Sequence, residues 1–551
     1  MKKITLFLIL LISVATSFSQ DIPEFEGEVS WSELFGVSKK VGSPDILGHD
    51  GEFIYLSRYI KRDRFIEKYN IRNLRLEQSM ELNLEYKGKE LTLINQFMYG
   101  ETPVLYTSFY NKKTKINHSF IQTINKNTLA VSAPVPVSKT KVPTGKGIMG
   151  KVSMSVSGSS GGFSGTFLIS ENKELGFTKE VEYADQKKKG EALKTISTIG
   201  RLYDEDLKLL VENNFELPYQ SFLIVETKLS NNGLVYMAGY QTSVEEDASR
   251  VIKRDVTVYG QLEILVLEIE SGDIEVLEVA VDDREVKAFT FRVNDDDGVV
   301  VSGLIGKEDG GVSGGFYVSY NSNLKETSAN FIDFEEDFIT QGWSVKTKEK
   351  LEKKNKKKKK KGEKETKPTF YDYRIRDLIQ KPDGTTTLLA EQYYMRVVTR
   401  TYTDSQGNVR TTTTYYYYYK DIIALNFDND GELVWKSVID KYQVSTNDGG
   451  YYSSFFTVVD DNDINIIYND RESNSVDTEG MSKQQKKQLK RKTVGVRVLL
   501  NEEGATSKEK LFEFEEGGLR LVPKICSDAN EDLVFLYARS RKGDKLGVIR
   551  W

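Results

Sequence analysis

The chain has 551 residues, with 77 basic against 82 acidic side chains and a formal charge of −5. Such a length holds one very large repeat domain or several ordinary ones, and the slight acidity removes any global electrostatic case for nucleic-acid binding. A single cysteine, Cys526, and two histidines, His49 and His118, exclude an intramolecular disulfide and a three-histidine zinc site, so stability must come from a large packed core.

The chain opens MKKITLFLILLISVATSFSQ. Lys2 and Lys3 form a basic n-region, Ile4–Val14 an apolar core and Ala15–Gln20 a small, polar tail. Residues 1–20 are thus expected to be a secretory signal peptide, too short to span a bilayer comfortably, and 21–551 an exported single domain. No later run reaches transmembrane length.

Beyond the leader the dominant period is two. EFIYLSRYI (52–60), PVLYTSFYN (103–111), QSFLIVETKL (220–229), LEILVLEI (262–269), GGFYVSYN (314–321), DIIALNFD (421–428) and EDLVFLYARS (531–540) are short runs rich in β-branched and aromatic residues, separated by turns such as NNG and DNDG. That pattern predicts an all-β chain. The best helix candidate is GEALKTISTIGRLYDEDLKLL (190–210). SAPVPVSKTKVPTGKGIMGKVSMSVSGSSGG (132–162) reads as an irregular loop, since its TGKG lacks the spacing of a phosphate-binding loop.

The runs recur in units starting near 50, 90, 150, 220, 285, 375, 455 and 520. Four-stranded units of this size predict a β-propeller of seven or eight blades. The chain ends on KLGVIRW (545–551), an incomplete unit that EFEGEVSWSEL (24–34) is expected to complete, closing the ring through its N- and C-terminal strands.

Two insertions are strongly basic. Residues 345–368 carry thirteen lysines in 24 positions and are expected to be a disordered loop, as is 472–492 with its SKQQKKQLKRK. Between them lies RTTTTYYYYYK (410–420). Paired with EQYYMRVVTRTYT (391–403) across DSQGN, it reads as a hairpin with Tyr415, Tyr417 and Tyr419 on one face and Tyr416 and Tyr418 on the other.

The hairpin DIIALNFDNDGELVWKSVI (421–439) resembles the blade hairpins of secreted bacterial β-propeller proteins. There, a strand ending in Asp meets an Asn/Asp-Gly turn and then a strand carrying tryptophan. The leader and the Lys- and Asn-rich composition are similar to exported proteins of the Bacteroidota. No strict WD or kelch signature is present. The resemblance runs through most of 45–551 as a rhythm, and what it implies is a fold rather than an activity.

Catalytic motifs are scarce. HEXXH and CxxC do not occur, and GVSGG (311–315) matches GxSxG at Ser313 but precedes a strand where a nucleophile elbow needs a helix. Gly48-His49-Asp50 sits at a turn. Asp428, Asp430 and Glu432, and Asp460, Asp461 and Asp463, could supply oxygens to a structural calcium ion but equally suit β-turns. No cofactor is expected. The function expected is a noncatalytic envelope or extracellular binding or scaffold protein, with an anionic glycan or an envelope protein as partner and no specific nucleic acid. The alternative is an extracellular polysaccharide-active hydrolase or lyase using a carboxylate pair that no motif selects.

Overall fold

The computed structural model describes residues 23–550 apart from 24, 26, 37–41, 43, 142–166, 184–194, 220–221, 247–254, 282–283, 307–310, 342, 344, 364, 475–480, 490–491, 514–517 and 531–532. The signal peptide expected at 1–20 lies outside the described residues. No helix among those described is long and apolar enough to cross a membrane.

The apolar runs become antiparallel strands that group, in chain order, into eight four-stranded units. These span 45–81, 92–141, 168–215, 222–278, 285–333, 373–446, 456–513 and 520–550. Units 2 and 3 run together as one sheet through a single parallel pair, Lys141 beside Glu182. Unit 8 supplies only part of its sheet from its own span. Its outer strand is Glu28–Trp31, antiparallel to Asp544–Arg550 from Glu28 opposite Arg550 to Trp31 opposite Gly547. The expected pairing of the two ends of the chain is therefore present.

Both faces of these sheets are apolar, so each must be covered on both sides. Eight buried clusters do this, one for each pair of consecutive units. Phe291 and Phe316 of unit 5 meet Tyr236 and Ile264 of unit 4. The last cluster joins unit 8 to unit 1, with Phe535, Tyr537 and Val548 against Ile54, Leu56 and Tyr69. Fully burying one such side chain contributes about 1.5–3 kcal/mol, so these interfaces dominate the stabilisation.

Strand parity fixes what lies at each end. With four antiparallel strands per unit, the chain enters and leaves every unit at the same end of its sheet. The turns between strands one and two, and between three and four, share the opposite end. That turn end repeats one device. The Asp or Asn opening a turn accepts backbone hydrogen bonds two and four residues on: Asp204 from Asp206 and Lys208, Asn321 from Asn323 and Lys325, Asp428 from Asp430 and Glu432, Asn501 from Glu503 and Ala505. Neighbouring turns then clasp one another, as where Trp435 donates Nε1–H to the Glu502 carbonyl at 2.7 Å.

The sequence-based expectations fail at four places. Residues 345–368 are not an unstructured loop. After α1 (Glu336–Thr340), α2 spans Val345–Lys360. Lysine favours helix, the last turn holds Lys357–Lys360 where the dipole suits cations, and Gly362, at φ +69°, ends the helix. There Glu363 donates to the Lys358 carbonyl and Gly362 to that of Lys359. Asn355 clamps the returning chain with two hydrogen bonds to Thr366. Likewise 472–492 contains α3 (Lys483–Leu489), started by a reciprocal capping box between Ser482 and Gln485. Within the supposed irregular loop 132–162, Val135–Lys141 is the outer strand of unit 2, and 142–162 lies outside the described residues. The helix candidate 190–210 gives strand Thr195–Tyr203, because TISTIGRLY alternates and pairs with Gly176–Tyr183.

The seam between units 8 and 1 has a titratable centre. Asp544 is 1% exposed and faces the Arg539 guanidinium at 3.2 Å, while its backbone pairs with Phe35. Burial pushes its carboxyl up from 3.8 to about 6, against the opposing pull of Arg539, Tyr537 and Arg58. The folded state therefore holds a proton that the unfolded chain releases. This contribution is complete below pH 3.8 and is lost as pH rises through about 6. Accordingly, the melting temperature of Asp544→Asn relative to the parent should rise steadily between pH 4 and 7. A difference independent of pH would contradict this account.

Candidate functional site

The long connections all leave from the end opposite the capped turns. α2 lies between units 5 and 6, and α3 between the second and third strands of unit 7. The hairpin of unit 6 projects from the same end. Its strands Thr386–Thr403 and Val409–Phe427 pair over their whole length, well beyond the eight-residue first strand Tyr373–Gln380. The tyrosine tract and DIIALNF lie in one strand, whose pairing with its partner is irregular at Lys420–Asp421. Tyr393/Tyr419, Met395/Tyr417 and Val397/Tyr415 are opposed pairs on one face, and Tyr394/Tyr418 and Arg396/Tyr416 on the other. The short strand Gln443–Thr446 covers the edge at Tyr416–Tyr419, leaving the outer part as a two-stranded arm.

A cavity of about 570 Å³ opens at the base of this arm, between units 6, 7 and 8. Tyr393 and Tyr419 wall it from the arm, Arg374 and Arg376 from the first strand of unit 6, Phe455 from unit 7 and Lys524 from unit 8. Behind the wall lies a buried ionic network centred on Glu391, which is fully buried. Its Oε1 accepts from Lys441 Nζ at 2.6 Å, and its Oε2 accepts from Arg376 Nε at 2.7 Å and Ser454 Oγ at 2.8 Å. Lys441 also reaches Gln443 at 3.2 Å. Burial drives the Lys441 ammonium below the ordinary lysine range, with Glu391 opposing the fall.

This arrangement makes the cavity cationic. Arg374 lies over the Tyr393 ring at 4.1 Å, and neither it nor Lys524 makes an ion pair among the described residues. The one carboxylate in the lining, Asp377, accepts from Thr457 Oγ1 at 2.9 Å and from the Leu378 amide at 2.9 Å. Sequence reasoning found the tyrosine hairpin but not this cavity. Arg376, Glu391, Lys441 and Ser454 are scattered over 79 positions, and no local spacing links them.

The residues singled out from sequence fall elsewhere. His49 ends a strand and accepts the Gly51 amide on Nδ1, while His118 stacks between Phe109 and Phe120. Ser313 lies in the strand Val312–Tyr320, which no helix follows. The neighbouring Gly314 is needed for packing, since a Cβ there would stand 2.2 Å from the Ile332 carbonyl oxygen. The same segment seats the insertion that carries α2, Val312 and Phe370 exchanging backbone hydrogen bonds. The Cys526 thiol accepts the Tyr537 amide and is pushed up to about 12 by burial, so it stays protonated. Asp428 spends its side chain on its own turn, and among the described residues no group of three or more His, Cys, Asp or Glu is placed to hold a metal ion.

Removing Glu391 leaves a buried ammonium without its counter-ion. Glu391→Ala should lower unfolding free energy by roughly 3–5 kcal/mol in urea denaturation, whereas Glu391→Leu combined with Lys441→Met should recover most of that loss.

No family model and no curated relative matches this sequence. Solved structures to which the chain is similar include the Dos1 propeller, 8% identical over 96% of this chain and 94% of that one, with a TM-score of 0.40. BamB from Moraxella catarrhalis is 11% identical over 97% and 96%, at 0.29. The β-propeller domain of the Trilobed protease from Pyrococcus furiosus is 10% identical over 74% and 98%, also at 0.29.

Proposed function

We propose that the eight units are the blades of a closed β-propeller whose insertion-bearing end binds an acidic polysaccharide, without catalysis, at the cell envelope. Closure is supported by the eight consecutive interfaces and by the pairing of Glu28–Trp31 with the last strand. The export pattern in Lys2–Gln20 supports an envelope location.

One observation carries the binding reading: the charge is segregated. Residues 345–368 hold thirteen lysines against four glutamates and so carry +9, while the rest of the chain carries −14. Val345–Lys360 of this segment is a helix, and parity puts it at the same end as α3, the tyrosine arm and the cationic cavity. A concentrated positive field on an otherwise acidic protein attracts polyanions to that end and repels them elsewhere. A polymer hydrolase needs two carboxylates facing across the substrate. The cavity lining supplies Asp377 alone, already bonded to its neighbours.

The test is retention of the mature protein on acidic and neutral glycan matrices, with product release scored alongside. Acidic matrices should retain it and neutral ones should not, with no products. Replacing the lysines of α2 by glutamine should weaken retention roughly tenfold or more, and raised salt should do the same. Unchanged retention in that variant would overturn the reading, as would preferential capture of an acidic envelope protein over the glycans.

A further inference from the structure

We infer that the cavity at the base of the tyrosine arm is a subsite for a single acidic sugar residue, its carboxylate or sulfate held by Arg374, Arg376 and Lys524. This deepens the polysaccharide reading above and rests on it for the biological ligand, but the subsite stands on its own geometry.

The first support is the surplus of positive charge. The lining brings three cations against Asp377, and behind it Lys441 balances Glu391. Asp377 accepts from Thr457 Oγ1 and the Leu378 amide, and it makes no ion pair with Arg374 or Lys524 among the described residues. A cavity with two cations in excess is stabilised by an anion.

The second support is preorganisation. Arg376 is held from behind, its Nε and Nη2 both directed to Glu391 Oε2 at 2.7 and 2.5 Å, which leaves Nη1 with no partner among the described residues. Glu391 is itself fixed by Lys441 and Ser454, both buried. The Arg374 guanidinium carbon sits over the Tyr393 ring, 4.1 Å from its centroid. Two guanidinium groups are therefore ordered before any ligand arrives, and planar guanidinium donors match carboxylate and sulfate oxygens. Glu391 acts as a positioning residue for this site and touches no ligand.

The third support is size and the character of the walls. About 570 Å³ lies within the range of roughly 300–1,000 Å³ typical of small-molecule sites. The lining also includes the hydroxyl-bearing residues Tyr393, Tyr419 and Ser527. A nucleobase would need an open aromatic face. Tyr393 offers none, being covered by Arg374 and set against Tyr419 at 4.7 Å with a 57° tilt. A wall without an open aromatic face suits a polyhydroxylated acid better than a base. The arm face continues outward from the cavity through Met395/Tyr417 and Val397/Tyr415, giving a path for the neighbouring residues of a chain.

Isothermal titration of the mature protein with galacturonate, glucose 6-sulfate, galactose and inorganic sulfate tests this directly. Galacturonate or glucose 6-sulfate should bind and galactose should not, and the stronger of the two acids identifies the anionic group. Arg374→Gln and Lys524→Gln should each weaken that binding about tenfold, with melting temperature unchanged because both side chains are exposed. Tyr393→Phe should weaken it less. Inorganic sulfate binding as tightly as the sugar acids would overturn the sugar assignment, and equal competition by a poly-glutamate peptide would do the same. Loss of neither acid's binding in Arg374→Gln would overturn the site. The two readings fail separately. Sugar acids that do not bind, with polymer retention intact, remove the subsite alone. Binding that persists when the matrices retain nothing removes the polymer reading alone.

Discussion

A sheet that is apolar on both faces cannot stand alone in water. Strands such as Val299–Gly306, buried at every position, need a neighbour on either side, and each neighbour has the same need. A linear stack would leave the outer faces of its first and last members wet. The cluster in which Phe535 and Tyr537 meet Ile54 and Tyr69 removes both exposed faces at once. The edges are handled by the same geometry, because Glu28–Trp31 completes the ladder of Asp544–Arg550 with residues from the other end of the chain. With the first and last units joined by packing and strand pairing, no disulfide is required between them, which accords with a single cysteine in a chain expected to be exported.

Strand number then decides where function can sit. Four strands per unit return the chain to the end from which it entered, so connections between units share an end with those between second and third strands. Insertions placed at unrelated points in the sequence, after residue 333, within 404–408 and within 472–492, therefore converge in space. The cavity also lies at this end, since Arg374, Ser454 and Lys524 are all at or near the start of a unit's first strand.

The rhythm of strands and turns was legible because it is local. Period-two runs and Asp/Asn-Gly turns carry their own instructions, and unit starts read near 220, 285, 375, 455 and 520 lie within two residues of Phe222, Glu285, Tyr373, Phe456 and Arg520. The helices were missed for two different reasons. Composition argued for disorder in 345–368, but it does not register the Gly362 terminus or the Asn355–Thr366 clamp, which involve specific residues within a monotonous run. For α3 the signal was present in Ser482-x-x-Gln485 and was masked by the surrounding charge. At 190–210 the amphipathic look of GEALKTISTIGRLYDEDLKLL concealed β-branched alternation, and pairing with Gly176–Tyr183 prevailed over local propensity. The cavity was illegible in principle, because Glu391 and Lys441 become partners only when the hairpin folds back past Asp421.

The two ends of the molecule differ in how their polar groups are used. At the turn end, side chains that might hold a ligand are consumed locally. Asp428 and Asn501 saturate their own turns, Trp435 and Ser437 donate to the next unit, and Asn462 bridges Asp383 and Glu502. Their regularity reflects the needs of strand reversal, which explains why their carboxylates resembled calcium loops in the sequence. At the insertion end the balance is reversed. Buried charge is spent on holding Arg376 from behind, while Arg374, Lys524 and the lysines of α2 remain available to solvent. Apolar residues of similar volume in place of the Glu391–Lys441 pair would cost the fold little. What apolar residues would not supply is the pair of contacts by which Glu391 orients Arg376 beneath the cavity.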